Sequence, residues 1–275
     1  SKWKEYNPCP LYSATIEDCI ENARDVSEGG ARYNGSAFAV SGIGTFIDSL
    51  YAVKRAVFEL KKISWEKMKY MLQTNFEGNE PTRQWLQTRL EKYGEDTNAL
   101  KGLTEQVFND MAVTTSGMQN QRGGQYEGSL WSFYGYEWLK AGTGASPNGR
   151  KKGESLSRGI NPEEKVNTTI LHIVHSISGV DMSRFPGTAV FYFEMPLTLA
   201  GQDVKVFEYL IRYFLKSGGN VFDFDVVDAA AMEDAMVHPE RHQNLVVRVC
   251  GYSARFVTLE KEMQIEIMNR AKRMA

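Results

Sequence analysis

Apolar residues recur at helical spacing through the first two-fifths of the chain. Ser13 stands before a stripe of Ile16, Cys19, Ile20 and Ala23, the i, i+3, i+4, i+7 pattern of a capped helix that Gly29-Gly30 would stop. A glycine-rich loop ends at Gly42 and Gly44, and Phe46, Leu50, Val53, Val57 and Leu60 then share one face of a helix predicted from residue 45 to about 62. Ser64 opens another helix, although Lys67 stands where a capping box has Glu or Gln. Pro81 and the charges after it start a helix to about residue 93, Gly94-Glu95-Asp96 is a turn, and a helix from about residue 98 to 112 follows.

The stretch from 114 to 162 loses periodicity and is rich in Gly, Ser and Asn. Its interleaved aromatics (Tyr126, Trp131, Phe133, Tyr134, Tyr136, Trp138) argue for an ordered, functional loop over a disordered one. Beyond it, residues 176–181 predict a short helix or turn and 189–194 a buried strand. Residues 204–215 predict a helix with Val206, Leu210, Tyr213 and Phe214 inward, closed by Gly218-Gly219. Residues 221–227 predict a strand with apolar residues on one face and Asp223 and Asp225 on the other. A helix over 229–237 stops at His238-Pro239, a short β-rich run covers 245–250, and a last helix runs from about 259 to 272. Helices alternating with short apolar strands predict an α/β architecture with at least part of a parallel sheet or barrel, and a boundary can fall near residue 240.

Composition narrows the class. The chain has 275 residues, 42% hydrophobic and 24% charged, with a net charge of -2, which leaves no basic footprint for nucleic acid or an anionic membrane. No apolar run is long enough to span a membrane. Ser1-Lys2-Trp3-Lys4 shows no signal-peptide core, and three scattered cysteines form no disulfide framework, so a cytoplasmic, reduced protein is expected. Cys9 reads as a loop residue and Cys19 as a core residue on a helix. His172, His175, His238 and His242 show no metal-ligand set, so no bound metal or cofactor is expected, and Gly142 and Gly144 lack a phosphate-loop continuation. Gly149-Arg150-Lys151-Lys152 reads as an exposed basic loop.

The candidate chemistry lies near the C-terminus. Gly251 ends an apolar strand, where local geometry favours a turn or a close approach. Glycine also has a chemistry of its own: a radical on its Cα is delocalised between the amide nitrogen and the carbonyl and wants a planar carbon, which a Cβ would hinder. Asp223 and Asp225 are either substrate or proton-transfer groups or partners of nearby Arg and backbone donors. Tyr126, Glu127, Phe133 and Glu194 are candidates for a substrate pocket, or else core residues.

The run Val247-Arg248-Val249-Cys250-Gly251-Tyr252-Ser253-Ala254-Arg255-Phe256 resembles the C-terminal radical motif of the glycyl radical enzymes. These include pyruvate formate-lyase, diol and glycerol dehydratases, choline trimethylamine-lyase, arylacetate decarboxylases and benzylsuccinate synthase. The likeness continues, in order, along the whole chain. Its blocks are Asn7-Pro8-Cys9-Pro10-Leu11-Tyr12-Ser13, Gly29-Gly30-Ala31-Arg32-Tyr33-Asn34, Asp48-Ser49-Leu50-Tyr51-Ala52-Val53-Lys54, Lys92-Tyr93-Gly94 and Asn148-Gly149-Arg150-Lys151-Lys152-Gly153-Glu154. Asp225-Val226-Val227-Asp228 and His238-Pro239-Glu240-Arg241 then lead into the radical loop.

The resemblance implies the C-terminal half of the family's ten-stranded α/β barrel over 1–240 and a glycyl radical domain over 241–275, with Gly251 on a loop reaching toward the barrel centre. It implies a radical on Gly251, installed by a separate radical S-adenosylmethionine activase with a [4Fe-4S] cluster, and a loop shaped by Arg248, Cys250, Tyr252 and Ser253. The family's thiyl-forming cysteine sits in a Gly-Cys-x-Glu loop, and none of Cys9, Cys19 or Cys250 has that context; Cys250 stands where other members carry Ala or Ser. The expected partners are therefore a chain or segment carrying that cysteine, the activase and a small-molecule substrate, in an assembled homo-oligomer. This implies either a fragment or one subunit of a split enzyme, inactive alone. The Gly-Tyr-Ser-Ala-x-Phe form favours a dehydratase or related lyase. The alternatives are a decarboxylase or succinate-adduct synthase of the same family, or a subunit that repairs a damaged enzyme.

Overall fold

The structure, a computed structural model, describes residues 2–95, 97–163, 166, 168–196, 204–249 and 251–273. Strand β1 (Gly35–Ala39) pairs in parallel with β2 (Gln125–Ser129). Strand β3 (Val190–Pro196) pairs in parallel with β4 (Val221–Val227). A parallel bridge between Leu130 and Ala189 links the two pairs, so β2 and β3 follow one another across a common sheet direction. Parallel neighbours need crossovers. The helix Val204–Lys216 returns the chain from β3 to β4, and the stretch between β1 and β2 carries the helices Ile43–Val53, Trp65–Gln73, Glu80–Thr88 and Asn98–Thr115. β5 (Val246–Arg248) and β6 (Ser253–Arg255) form an antiparallel hairpin with Arg248 opposite Ser253.

Two apolar cores hold this together. The larger joins Ile43, Ile47, Tyr51, Met68, Phe108 and Phe185 with the aromatic face of β3 and β4. On that face Phe222 lies 5.4 Å from Phe191 and 5.3 Å from Phe214, and Phe207 lies 4.7 Å from Phe224. The smaller joins Val247, Val249 and Phe256 of the hairpin region with Met232 and Ala235 of the helix Ala229–Val237, Ile267 and Ala271 of the helix Lys261–Arg273, and Tyr136 and Leu156. Each such large side chain contributes about 1.5–3 kcal/mol by leaving water. No helix among the described residues is long and apolar enough to cross a membrane.

The strand over 221–227 and the helix over 229–237 form as the pattern predicts. Several other elements differ. The helix expected through Ile16 to Ala23 is absent: a short helix over Pro10–Ser13 ends before it, and Asp18 and Ala23 take φ of +72° and +49°. The Ser13 hydroxyl donates to Asp25 Oδ2 at 2.8 Å and accepts from the Val26 amide, so it pins a turn-rich loop and caps no helix. Cys19 is buried in that loop, off any helix. The helix expected from residue 45 starts at Ile43 and becomes π-helical over Lys54–Glu59. Its core side is Ile43, Ile47, Tyr51 and Ala52, while Phe46 is 49% exposed, because both faces are apolar and spacing alone cannot rank them. Tyr213, expected inward, is 38% exposed, and the Val206 side chain lies outside the described residues. The short helix or turn expected over 176–181 forms as a turn, preceded by a helix over Ile170–Ser176. Arg150 is not exposed: only 1% of it meets solvent. Its guanidinium donates to Ser146 Oγ at 2.9 Å and to the Lys151 and Glu154 carbonyls at 3.0 and 2.6 Å. Burial pulls its pKa down from the ordinary value.

Candidate functional site

Gly251 sits at the tip of the β5–β6 hairpin, where the Val249 amide donates to the Tyr252 carbonyl at 2.9 Å. Its φ is +88°, in the left-handed region that favours glycine. A Cβ built there would stand 3.2 Å from Trp131 Cζ2, so the indole lies over one side of the glycine. Trp131 in turn stacks on Phe133, ring centroids 3.9 Å apart. Tyr252 is 55% exposed beside the tip, Ser253 opens β6, and Cys250 lies outside the described residues.

The hairpin rests on the polar face of β3 and β4. Parallel register sets Tyr192 beside Asp223 and Glu194 beside Asp225, so one face of the strand pair carries carboxylates and the other phenylalanines. Arg248, three residues before Gly251, meets this face twice. Its Nε donates to Asp223 Oδ1 at 2.7 Å and its backbone amide to Asp225 Oδ2 at 3.2 Å. Burial pushes the Asp225 carboxyl above its ordinary pKa, and Glu194 beside it adds to the rise.

Glu194 is held by two arginines. Arg158 Nη2 donates to its Oε1 at 2.5 Å and Arg270 Nη1 at 3.1 Å. Arg270 Nε also pairs with Glu266 Oε1 at 3.0 Å, and the Tyr136 hydroxyl donates to the same oxygen at 2.9 Å. Burial alone would push the Glu194 carboxyl up, but Arg158 and Arg270 bring it below the usual range. The Arg158 guanidinium lies 4.3 Å from the Tyr192 ring centroid, a cation–π contact. Gly159 lets this segment come close to β3: its φ is +51°, and a Cβ there would meet the Val190 carbonyl at 2.3 Å.

The structure therefore gathers Asp223, Asp225 and Glu194 under the Gly251 hairpin, and Phe133 stacks on the Trp131 that covers Gly251. Tyr126 and Glu127 lie on β2, where Tyr126 stacks on Phe38 of β1 at 4.7 Å and Glu127 stands opposite Ala37. Arg158 and Arg270 escape sequence reading. One signal was available: Arg270 falls on the apolar stripe of its helix with Met263, Ile267 and Ala271, a position where an arginine needs a buried partner.

Comparison with known proteins fits this geometry. Residues 1–138 match the family described as pyruvate formate lyase-like, and residues 156–257 match the glycine radical family. The chain belongs to the glycyl radical enzymes. It is 32% identical to the trans-4-hydroxy-L-proline dehydratase of Clostridioides difficile, over 98% of this chain and 34% of the relative. It is 31% identical to the (2S)-3-sulfopropanediol dehydratase of Klebsiella oxytoca, with the same coverage of 98% and 34%. Its structure is similar to the glycerol-bound, B12-independent glycerol dehydratase of Clostridium butyricum, with a TM-score of 0.90 at 29% identity, over 97% of this chain and 34% of that one. The chain thus spans about a third of the length of the curated relatives it matches.

Proposed function

We propose that this chain is the radical-bearing part of a glycyl radical dehydratase or related lyase. Gly251 stores the unpaired electron and passes it to a thiyl-forming cysteine carried by another chain or segment. The observation that carries this reading is the match of residues 156–257 to the glycine radical family together with the place of Gly251, a left-handed glycine at a hairpin tip with an indole over it. The dehydratase preference rests on the relatives, which are dehydratases and lyases over nearly the whole chain.

In this reading the parallel strands β1 to β4 are part of the ten-stranded barrel, residues 241–275 are the radical domain, and Tyr126, Glu127 and Phe133 face a small-molecule substrate. A radical S-adenosylmethionine activase with a [4Fe-4S] cluster removes one Cα hydrogen of Gly251. The cysteine then gives its thiol hydrogen to that Cα, becomes a thiyl, and takes a hydrogen from the substrate; the steps run backwards after product forms, so Gly251 regains the spin. The assembled enzyme works in the cytoplasm as a homo-oligomer. The test is anaerobic activation followed by air. The chain is then cut at Gly251 into a large fragment and a short tail, read by mass spectrometry; an intact chain after activation with several family activases contradicts the proposal.

A further inference from the structure

We infer that Glu194, Asp223 and Asp225 are positioning residues that anchor the Gly251 hairpin from both sides, and that they do not bind substrate. This rests on the radical reading of Gly251 and names the parts of the fold that hold it in place.

The hairpin is fastened before and after its tip to the same strand face. Before the tip, Arg248 is tied to Asp223 through its side chain and to Asp225 through its amide. After the tip, the chain runs through β6 into the helix Lys261–Arg273, whose Arg270 reaches back to Glu194 on β3. Glu194 and Asp225 are register partners, so the two fastenings land on adjacent positions. A second arginine, Arg158, donates to the same oxygen of Glu194 as Arg270 does. The Glu266 carboxylate balances Arg270 from its own helix. Each carboxylate of the set is thus occupied by a partner from the radical hairpin, its following helix or the 158 segment.

Space argues the same way. Glu194, Asp223, Asp225, Arg158, Arg248 and Arg270 line one cleft of about 10 Å³, room for a single water molecule. That leaves no room for a substrate beside Asp223 and Asp225, and where Glu194 borders the neighbouring cavity of about 180 Å³ it does so together with Arg158 and Arg270, already ion-paired to both. Paired charges at this depth add little net stability over apolar packing, but they fix register and direction, which is what a radical site facing a distant thiol needs.

The test uses the 275-residue chain before activation, so its outcome does not depend on whether a radical forms. Hydrogen–deuterium exchange is followed in the peptide over 245–258, with the helix Val204–Lys216 as the control. Asp223→Asn and Glu194→Gln are each expected to speed exchange of the hairpin peptide severalfold and leave the control peptide unchanged. Glu194→Asp keeps the charge but shortens the reach, and serves if Glu194→Gln also loosens the control. Unchanged hairpin exchange in Asp223→Asn, or in the Glu194 variant whose control peptide is intact, overturns the inference. A second arm separates positioning from substrate binding in the assembled, activated enzyme. Positioning residues lower the radical yield by electron paramagnetic resonance and restore it in part with the conservative Glu194→Asp. A full radical yield with only a raised KM would instead make them substrate ligands and contradict the inference. If the unaltered chain takes up no radical while the hairpin exchange behaves as expected, the radical reading fails and the anchoring stands.

Discussion

Trp131 Cζ2 lies 3.2 Å from the point where a side chain on Gly251 would begin, which ties the end of β2 to the tip of the β5–β6 hairpin. Backbone conformation and local space agree at this point: φ is +88° and the L-side of the Cα is already covered. Replacing Gly251 with Ala meets both constraints. The variant is expected to lose about 1–2 kcal/mol of stability in urea unfolding, from the left-handed backbone alone, with relief by tilting of the exposed tip. It should fold, and it should not be cut in air after activation.

Trp131 itself gives a second expectation. Its stack on Phe133 at 3.9 Å holds the indole over the glycine. Trp131→Ala removes a stacking contact of about 0.5–1.5 kcal/mol and uncovers the Cα. The radical in the activated variant should vanish severalfold faster after a fixed dose of oxygen, followed by the decay of its resonance signal. An unchanged decay means the indole does not shield the site.

Arg150 predicts a purely structural loss. Its guanidinium satisfies the Lys151 and Glu154 carbonyls and the Ser146 hydroxyl from a position 1% exposed. Arg150→Met leaves those acceptors without their donor, at a cost of about 3 kcal/mol. Lysine, a point charge without the fork, should recover only part of it. Chemical denaturation of both variants checks the ranking.

Asp48 predicts a pH dependence. It is buried on the helix Ile43–Val53, one oxygen accepting from the Tyr93 amide at 2.7 Å and the other without a hydrogen-bond partner. Burial pushes its pKa up to about 8, against the opposing pull of Lys92. The folded chain then keeps a proton that the unfolded chain releases near pH 4. This contribution to stability is complete below about pH 4 and falls as pH rises toward 8. Asp48→Asn should flatten that slope and gain roughly 1–3 kcal/mol relative to the unaltered chain at pH 8. Unfolding free energies from pH 5 to 9 decide it, and parallel slopes would contradict the assignment.

How much of this was readable beforehand differs by element. The strand over 221–227 was legible because its alternation is strict: Phe222, Phe224 and Val226 on one side, Asp223 and Asp225 on the other. β1 and β2 were not, because Gly-Ser-Ala-Phe-Ala and Gln-Tyr-Glu-Gly-Ser carry neither alternation nor branched residues, and parallel pairing across a long crossover supplies what propensity lacks. The helix through Ile16 failed because Ser13 and Asp25 bond to each other across the loop, a contact that spacing cannot show. Gly251 was singled out through the residues flanking it, since a left-handed turn and a radical site look alike at a single glycine. The partners of Asp223, Asp225 and Glu194 come from segments far away in the chain, so their pairing with Arg248, Arg158 and Arg270 emerges only in the fold.

The central claim is that the spin resides on the Cα of Gly251. Electron paramagnetic resonance of the anaerobically activated chain tests it most directly when the chain is grown with ordinary glycine and with Cα-deuterated glycine. One remaining α-hydrogen splits the signal into a doublet; deuteration should collapse it to a near-singlet, and Gly251→Ala should abolish it. A doublet that survives deuteration, or that persists in Gly251→Ala, would place the radical elsewhere and contradict the account.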